Sequence, residues 1–188
     1  MIRFDHVTFG YEAERPVLRE LSLEIPKGGR VCLTGASGQG KTTALRLLLG
    51  LEQPQSGTVI RPGGTRFSVV FQEDRLLPWK TALENAALTG SAEDARFWLT
   101  ELGLGGSLDA LPETLSGGMK RRAALARALA HPFDVLVLDE ALTGLDDAAK
   151  ARCLAAIDRA VGPQKTLVMA CHDPAEAAAL AARTVPVA

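Results

Sequence analysis

Residues 35–42 read Gly35-Ala36-Ser37-Gly38-Gln39-Gly40-Lys41-Thr42, and this segment sets the architecture that the 188-residue sequence predicts. It fits the spacing G-x-x-x-x-G-K-[ST] of a phosphate-binding loop. Glycines lack a Cβ atom, so the backbone can bend sharply and turn its N–H groups around phosphate oxygens. Lys41 adds a positive charge for the β- and γ-phosphates, and the Thr42 hydroxyl suits Mg²⁺. We expect these eight residues and Thr43 to bind a nucleotide.

The residues on either side of the loop predict a strand followed by a helix. Arg30–Thr34 is short and apolar, and Thr43–Leu49 has a helical composition. A helix starting at the loop would direct its positive N-terminal dipole toward the phosphates. Strands and helices alternate after Val31, which predicts a mostly parallel sheet with right-handed crossovers. Ligands bind such sheets at the carboxyl ends of the strands.

Composition limits the function classes. The chain is 47% hydrophobic with a net charge of −1, so one globular domain is expected and nothing electrostatic calls for nucleic acid. Its three cysteines have no metal-type spacing, which favours a reducing compartment and a core-filling role. Met1–His6 alternates like a strand, which predicts no signal peptide, and no apolar run reaches the roughly 20 residues of a membrane span. Contact with a membrane is expected to go through a partner.

Residues 73–115 contain no convincing strand pattern, and they precede a helix predicted over Gly117–Ala130 with Ser116 as its N-cap. That helix carries four basic residues. The preferred interpretation is a solvated face opposite its apolar residues, and a nucleic-acid patch is the alternative. The basic residues are Lys120, Arg121, Arg122 and Arg127.

Two acids follow the most hydrophobic segment, Asp134–Leu138, which predicts a central strand. A phosphate-binding loop needs a carboxylate to hold Mg²⁺, and Asp139 is placed for that role. Glu140 is the adjacent candidate to orient or deprotonate the attacking water. A second buried strand, Lys165–Cys171, delivers His172 to the same edge of the sheet.

A five-residue segment gives a family resemblance. Leu115-Ser116-Gly117-Gly118-Met119 is similar to the LSGGQ signature of the ABC ATPases, the nucleotide-binding subunits of ABC transporters. The loop, signature, acid pair and later histidine follow in the family's order over nearly the whole chain. The resemblance implies an α/β fold with a P-loop core and mostly parallel sheet, an N-terminal antiparallel β subdomain and an inserted helical lobe. One domain would span residues 1–188, with a core of 1–72 and 116–188 and a lobe of about 73–115.

The resemblance also implies roles within one subunit. Tyr11 looks like the aromatic residue that stacks on adenine, and His172 like the switch histidine that contacts the γ-phosphate. Gln72 looks like the Q-loop glutamine, which touches Mg²⁺ or the attacking water. Thr42, Gln72 and Asp139 would then be the ligands of Mg²⁺.

Other roles act between subunits. Ser116 and Gly118 resemble signature residues that meet the γ-phosphate of ATP bound to the opposite subunit, and Asp146 resembles the D-loop aspartate. The implied mechanism is a head-to-tail dimer that sandwiches two ATP molecules with Mg²⁺. A homodimer and a heterodimer with a second cassette both remain open.

The resemblance to the family of nitrate, sulfonate and taurine importer ATPases rests on Phe71–Trp79. It implies integral membrane subunits, an extracytoplasmic solute-binding protein, no nucleic acid, and a cytoplasmic position on the inner face of the membrane. The Trp79 region would line the groove for the membrane subunit, or else Leu76, Leu77 and Trp79 would simply pack the lobe.

Some residues depart from the pattern, and other functions remain to be weighed. Met119 replaces the usual glutamine of the signature, Ala141 a proline and Gly144 an alanine.

One alternative function is a soluble ABC ATPase acting on nucleic acid, ribosomes or cofactor assembly. A P-loop kinase would not need the signature, and a cassette that only binds ATP would not need both Glu140 and His172.

Overall fold

A five-stranded parallel sheet forms the centre of the protein. The structure is a computed structural model that describes residues 1–12 and 14–187. The strands of this sheet are β3 (Arg30–Thr34), β5 (Phe67–Val70), β6 (Val135–Asp139), β7 (Thr166–Ala170) and β8 (Arg183–Pro186). They lie in the order β5-β6-β7-β3-β8. The predicted parallel sheet is therefore confirmed, and the carboxyl ends of its strands share one edge.

A second sheet is antiparallel and has three strands. These are β1 (Ile2–Phe9), β2 (Leu18–Ile25) and β4 (Ser56–Ile60), in the order β2-β1-β4. Apolar residues of β1 and β2 point into the core at alternating positions, as a half-buried strand requires. This sheet confirms the antiparallel subdomain that the family resemblance implied.

Six α-helices complete the described part of the chain. They are α1 (Lys41–Leu49), α2 (Ala82–Ala86), α3 (Ala92–Glu101), α4 (Gly117–Ala130), α5 (Asp147–Val161) and α6 (Pro174–Ala179), with 3-10 turns at Gly105–Ser107 and Pro112–Thr114. Ser91 caps α3 by accepting a hydrogen bond from the Asp94 amide at 2.9 Å. Residues 73–115 contribute only helices and turns to this set, and their boundary as a lobe stays a prediction.

The parallel sheet separates two apolar cores. Val135 and Val137 of β6 face the core that contains α1 and the antiparallel sheet. Leu136 and Leu138 face the other core, which contains residues of α2, α3, α4 and α5. Because both faces are covered, β6 is buried at every position. Asp139, the last residue of β6, and Glu140, which follows it, are therefore held by a rigid strand.

The solvated face expected on α4 is wrong. Arg121 donates to the carbonyl of Phe71 at 3.1 Å, and Arg127 donates to the carbonyls of Asp74 and Arg75 at 2.8 and 2.7 Å. All four basic side chains of α4 are half-buried, because the helix lies between the sheet and the helices of residues 73–115. These guanidinium groups hold backbone segments together.

Trp79 does not pack the helical region. Trp79 is 71% exposed, whereas Leu76 packs against the core that contains residues of α2, α3, α4 and α5. Within residues 1–12 and 14–187, no helix combines the length and the apolar character that crossing a bilayer requires.

Candidate nucleotide-binding site

The predicted phosphate loop joins β3 to α1 and has the curved backbone expected of it. Gly40 adopts φ of +90° directly before α1, a conformation that a side chain would strain. A Cβ atom there would also lie 2.7 Å from Leu18 Cδ2. The sequence folds this way locally because glycine allows both the turn and the close approach of β2.

Side chains of the loop turn back onto its own backbone. The ammonium group of Lys41 donates to the carbonyls of Gly35 and Ala36 at 2.8 and 3.0 Å, and the side chain is buried. The amide of Ala36 donates to Gln39 Oε1 at 2.6 Å. The loop is thus preformed, and an anion that enters it exchanges these contacts for its own.

A pair of hard oxygen atoms connects the loop to β6. The Thr42 hydroxyl donates to Asp139 Oδ1 at 3.1 Å. Asp139 is 4% exposed, and this burial raises the pKa of its carboxyl above the usual value, although the Thr42 hydroxyl opposes the shift. A buried carboxylate beside a hydroxyl favours a bound cation, and both oxygens are ligands that Mg²⁺ prefers. The two residues therefore fit the predicted magnesium ion.

The next carboxylate is directed toward His172. Glu140 Oε1 lies 2.7 Å from Nε2 of His172, which follows the end of β7. The backbone of Glu140 has φ of +51°, and its amide donates to the carbonyl of Ala170 at 3.0 Å. Non-glycine residues adopt this conformation at a cost, and such residues cluster at functional sites.

One cleft of about 400 Å³ brings nine of the predicted site residues together. Its lining includes the loop residues Ser37, Gly38, Gly40, Lys41, Thr42 and Thr43, together with Tyr11, Gln72 and Glu140 from three other segments. The ring of Tyr11 is 58% exposed, and its hydroxyl lies 3.4 Å from Thr43 Oγ1. A flat ring at the mouth of a phosphate cleft can stack on a nucleobase.

The predicted signature lies apart from this cleft. Ser116 Oγ accepts a hydrogen bond from the Met119 amide at 3.3 Å and so caps α4, while Leu115 is buried. Ser116 and Gly117 are exposed, and a Cβ atom at Gly118 would lie 3.4 Å from Leu145. Asp146 follows Leu145 and caps α5 by accepting from the Ala149 amide at 2.8 Å. The predicted signature thus lies beside Leu145, the residue before Asp146, and none of these residues lines the cleft.

Two residues near the cleft were not predicted. Arg46 on α1 donates to the Tyr11 hydroxyl at 3.3 Å, and Val17 lines the cleft beside the loop. Phe9 meets the Tyr11 ring edge to face, with 5.1 Å between the ring centroids. The position of Arg46, one turn beyond the loop, was a weak sequence signal that it lies near the cleft. No sequence pattern pointed to Val17.

Comparison with known proteins identifies the family. A family model described as "ABC transporter" matches residues 18–143, which is more than half of the chain. The chain belongs to the ABC transporter family. The resemblance that the signature motif carried is thereby confirmed.

Relatives and solved structures of this family cover most of the chain. It is 41% identical over 194 residues to "Aliphatic sulfonates import ATP-binding protein SsuB" of Burkholderia pseudomallei, covering 98% of this chain and 58% of that protein. It is 42% identical to "SsuB 1" of Agrobacterium fabrum, covering 97% and 69% of the two chains. The chain thus spans little more than half the length of the first relative.

The similarity extends to three dimensions. The dimeric post-hydrolysis structure of the ATP-binding cassette MJ0796, bound to ADP and Pi, matches with a TM-score of 0.90 at 26% identity. The match covers 100% of this chain and 94% of that one. The fold is therefore that of an ABC ATPase cassette, as predicted.

Proposed function

We propose that this chain is the ATP-binding and ATP-hydrolysing subunit of an ABC transporter that imports a small solute. The observation that carries the proposal is the cleft in which the phosphate loop, Gln72 and Glu140 meet, with His172 held behind Glu140. The relatives named as import ATP-binding proteins support the transport role.

ATP binding uses the loop and the aromatic ring at its mouth. Loop amides and the Lys41 ammonium bind the phosphates, and Tyr11 stacks on adenine. Thr42 and Asp139 would hold Mg²⁺, and Gln72, which lines the same cleft, would be a further ligand. When bound, the metal ion neutralises charge on the phosphate oxygens.

Hydrolysis depends on Glu140 and His172. Glu140 orients a water molecule toward the γ-phosphate and accepts its proton. His172 leaves Glu140 and contacts the γ-phosphate, so their present contact is exchanged for contacts to substrate. Lys41 stabilises the charge on the transferring phosphoryl group, and catalysis is mainly positioning and electrostatics.

A second cassette completes each site. The exposed N-terminus of α4, with Ser116 and the amides after it, is an anion-binding element that its own cleft does not use. In a head-to-tail dimer it reaches the γ-phosphate bound to the partner. The dimeric form of the similar cassette supports this arrangement. Homodimer and cassette heterodimer are both compatible with it.

Transport requires membrane partners. Trp79, exposed in the segment after Gln72, offers an apolar contact for an integral membrane subunit, and opening and closing of the dimer moves that subunit. The cassette therefore sits on the cytoplasmic face of the inner membrane. An extracytoplasmic solute-binding protein supplies the solute, which the relatives' names suggest is an aliphatic sulfonate.

Phosphate release from ATP tests the proposal. The purified chain with Mg²⁺ is expected to release phosphate over many turnovers, and Glu140→Gln is expected to bind ATP without releasing it. Equal turnover by the two proteins would overturn the role of Glu140. No turnover and no ATP binding by the unmodified chain would overturn the function.

A further inference from the structure

Two of the three cysteines contact each other behind the nucleotide cleft. The Sγ atoms of Cys32 and Cys171 lie 2.7 Å apart although 139 positions separate the residues in sequence. Cys32 belongs to β3, Cys171 follows β7 directly, and these strands are parallel neighbours. The contact therefore results from the strand order of the sheet.

The pair lies between the two segments that hydrolysis needs. Cys32 is on the strand that enters the phosphate loop, and Cys171 is bonded through the backbone to His172. Neither cysteine lines the cleft. The Cys171 thiol also donates to the carbonyl of Asp173 at 3.5 Å, so Cys171 contacts the residue that follows His172 as well.

The environment shifts the pKa values of the two thiols in opposite directions. The hydrogen bond from the Cys171 thiol lowers the pKa of Cys32 against the effect of its burial. The same contact raises the pKa of Cys171, because a second thiolate would stand against the first. Cys32 is thus the better nucleophile, and Cys171 carries the remaining proton.

We propose that Cys32 and Cys171 are a redox-active pair that a peroxide converts to a disulfide between the two strands. The Cys32 thiolate attacks one oxygen of hydrogen peroxide, the O–O bond breaks, and Cys32 sulfenic acid and hydroxide form. The sulfur of Cys171 then attacks the sulfenyl sulfur, and the S–S bond forms as the S–O bond breaks and hydroxide leaves. The proton of Cys171 is released in this step. In total, two thiols and one peroxide give one disulfide and two water molecules.

The disulfide reduces hydrolysis by restraining His172. An S–S bond is about 2.05 Å long, so closing the 2.7 Å gap needs only a small movement of the side chains. Once closed, it fixes the residue before His172 to β3, whereas His172 must move from Glu140 to the γ-phosphate. A misplacement of about 1 Å costs up to 100-fold in rate, so we expect turnover to fall by about 10- to 100-fold. This consequence rests on the proposed function, whereas disulfide formation does not.

Burial selects the oxidant and provides a control. Cys32 and Cys171 are 0% and 3% exposed, so a small neutral molecule such as hydrogen peroxide can reach them while large thiol reagents cannot. Cys153 in α5 is equally buried, and burial raises its pKa to about 12. It therefore remains a thiol under the same conditions.

The test is to oxidise the whole chain with hydrogen peroxide and to map its cysteines by mass spectrometry after alkylation in denaturant. We expect a loss of two hydrogens, a cross-linked peptide pair containing Cys32 and Cys171, and one alkylated cysteine at Cys153. Cys153→Ala should give the same cross-link. Cys171→Ala should give no cross-link and leave Cys32 and Cys153 to be alkylated in denaturant.

Turnover and ATP binding are measured on the same samples. The oxidised chain should bind ATP as before, hydrolyse it about 10- to 100-fold more slowly, and recover with dithiothreitol. Three alkylated cysteines after peroxide treatment would refute disulfide formation between Cys32 and Cys171. A complete cross-link with unchanged turnover would overturn its effect on hydrolysis. A reduced chain without turnover would refute the proposed function, while the peptide map would still decide the pair.

Discussion

Glu140 and His172, which follow the neighbouring strands β6 and β7, contact each other through Oε1 and Nε2 at 2.7 Å. The contact directs the two side chains toward each other. In the proposed function Glu140 faces the attacking water and His172 faces the γ-phosphate, so we expect the pair to separate on the way to the reactive state. His172 is therefore expected to act in turnover and not in the initial capture of ATP.

His172→Ala tests this division of roles. We expect turnover to fall by about 10²- to 10³-fold, the loss typical of removing one group that stabilises charge in the transition state. ATP affinity should change little, because Lys41 and the loop amides still bind the phosphates. Steady-state phosphate release and equilibrium ATP titration give the two numbers. A variant that loses affinity and keeps its maximal rate would contradict the assignment.

Lys41→Ala should weaken ATP binding by about 10- to 100-fold, because a charged hydrogen bond contributes about 1.5–3 kcal/mol. Binding is measured by calorimetry with Mg²⁺ and ATP. Lys27→Ala is the matched control, since Lys27 is exposed in the turn after β2. If both variants bind ATP equally well, the loop is not the phosphate site.

Asp139→Asn should stabilise the metal-free and nucleotide-free protein although it impairs hydrolysis. The folded protein raises the pKa of this carboxyl above 3.8, so it binds the proton more tightly than the unfolded chain does. Stability is therefore lost as the pH rises through that range and stays lower at neutral pH. Removing the buried charge should raise the Tm by roughly 2–4 °C in the presence of EDTA.

Asp134→Asn, directly before β6, should lower the Tm at neutral pH. The Arg66 guanidinium holds the pKa of Asp134 at about 2, so its ionised form stabilises the fold at neutral pH and this stabilisation disappears as the pH falls toward 2. Thermal unfolding of both variants at pH 7 checks the signs. A lower Tm for Asp139→Asn, or a higher one for Asp134→Asn, would contradict the electrostatic account.

Arg127→Leu should lower the free energy of unfolding by about 1–3 kcal/mol, because the carbonyls of Asp74 and Arg75 lose their donor. Lys120→Leu is the control on the same helix, since the described part of the chain shows no hydrogen bond from its side chain. Urea denaturation measures both. Equal stability of the two variants would show that the Arg127 contacts do not stabilise the segment after Gln72.

The parts of this site that the sequence predicted are those encoded by neighbouring residues. The phosphate loop depends on glycines within eight positions, and Asp139 and Glu140 follow an apolar strand that brings them to the ligand edge. The Cys32–Cys171 contact could not be predicted, because it depends on β3 and β7 being neighbours. Arg127 was misjudged for a related reason: helical periodicity does not reveal that other helices cover its polar face.

The most direct test of the central claim is the mass of Glu140→Gln in solution, measured by light scattering with Mg²⁺ and either ATP or ADP. The substitution keeps the cleft and removes the base, so ATP stays intact. We predict a dimer with ATP and a monomer with ADP, because the γ-phosphate joins the loop of one cassette to the signature of the other. A monomer with both nucleotides at saturating ATP would contradict the ATP-sandwich mechanism.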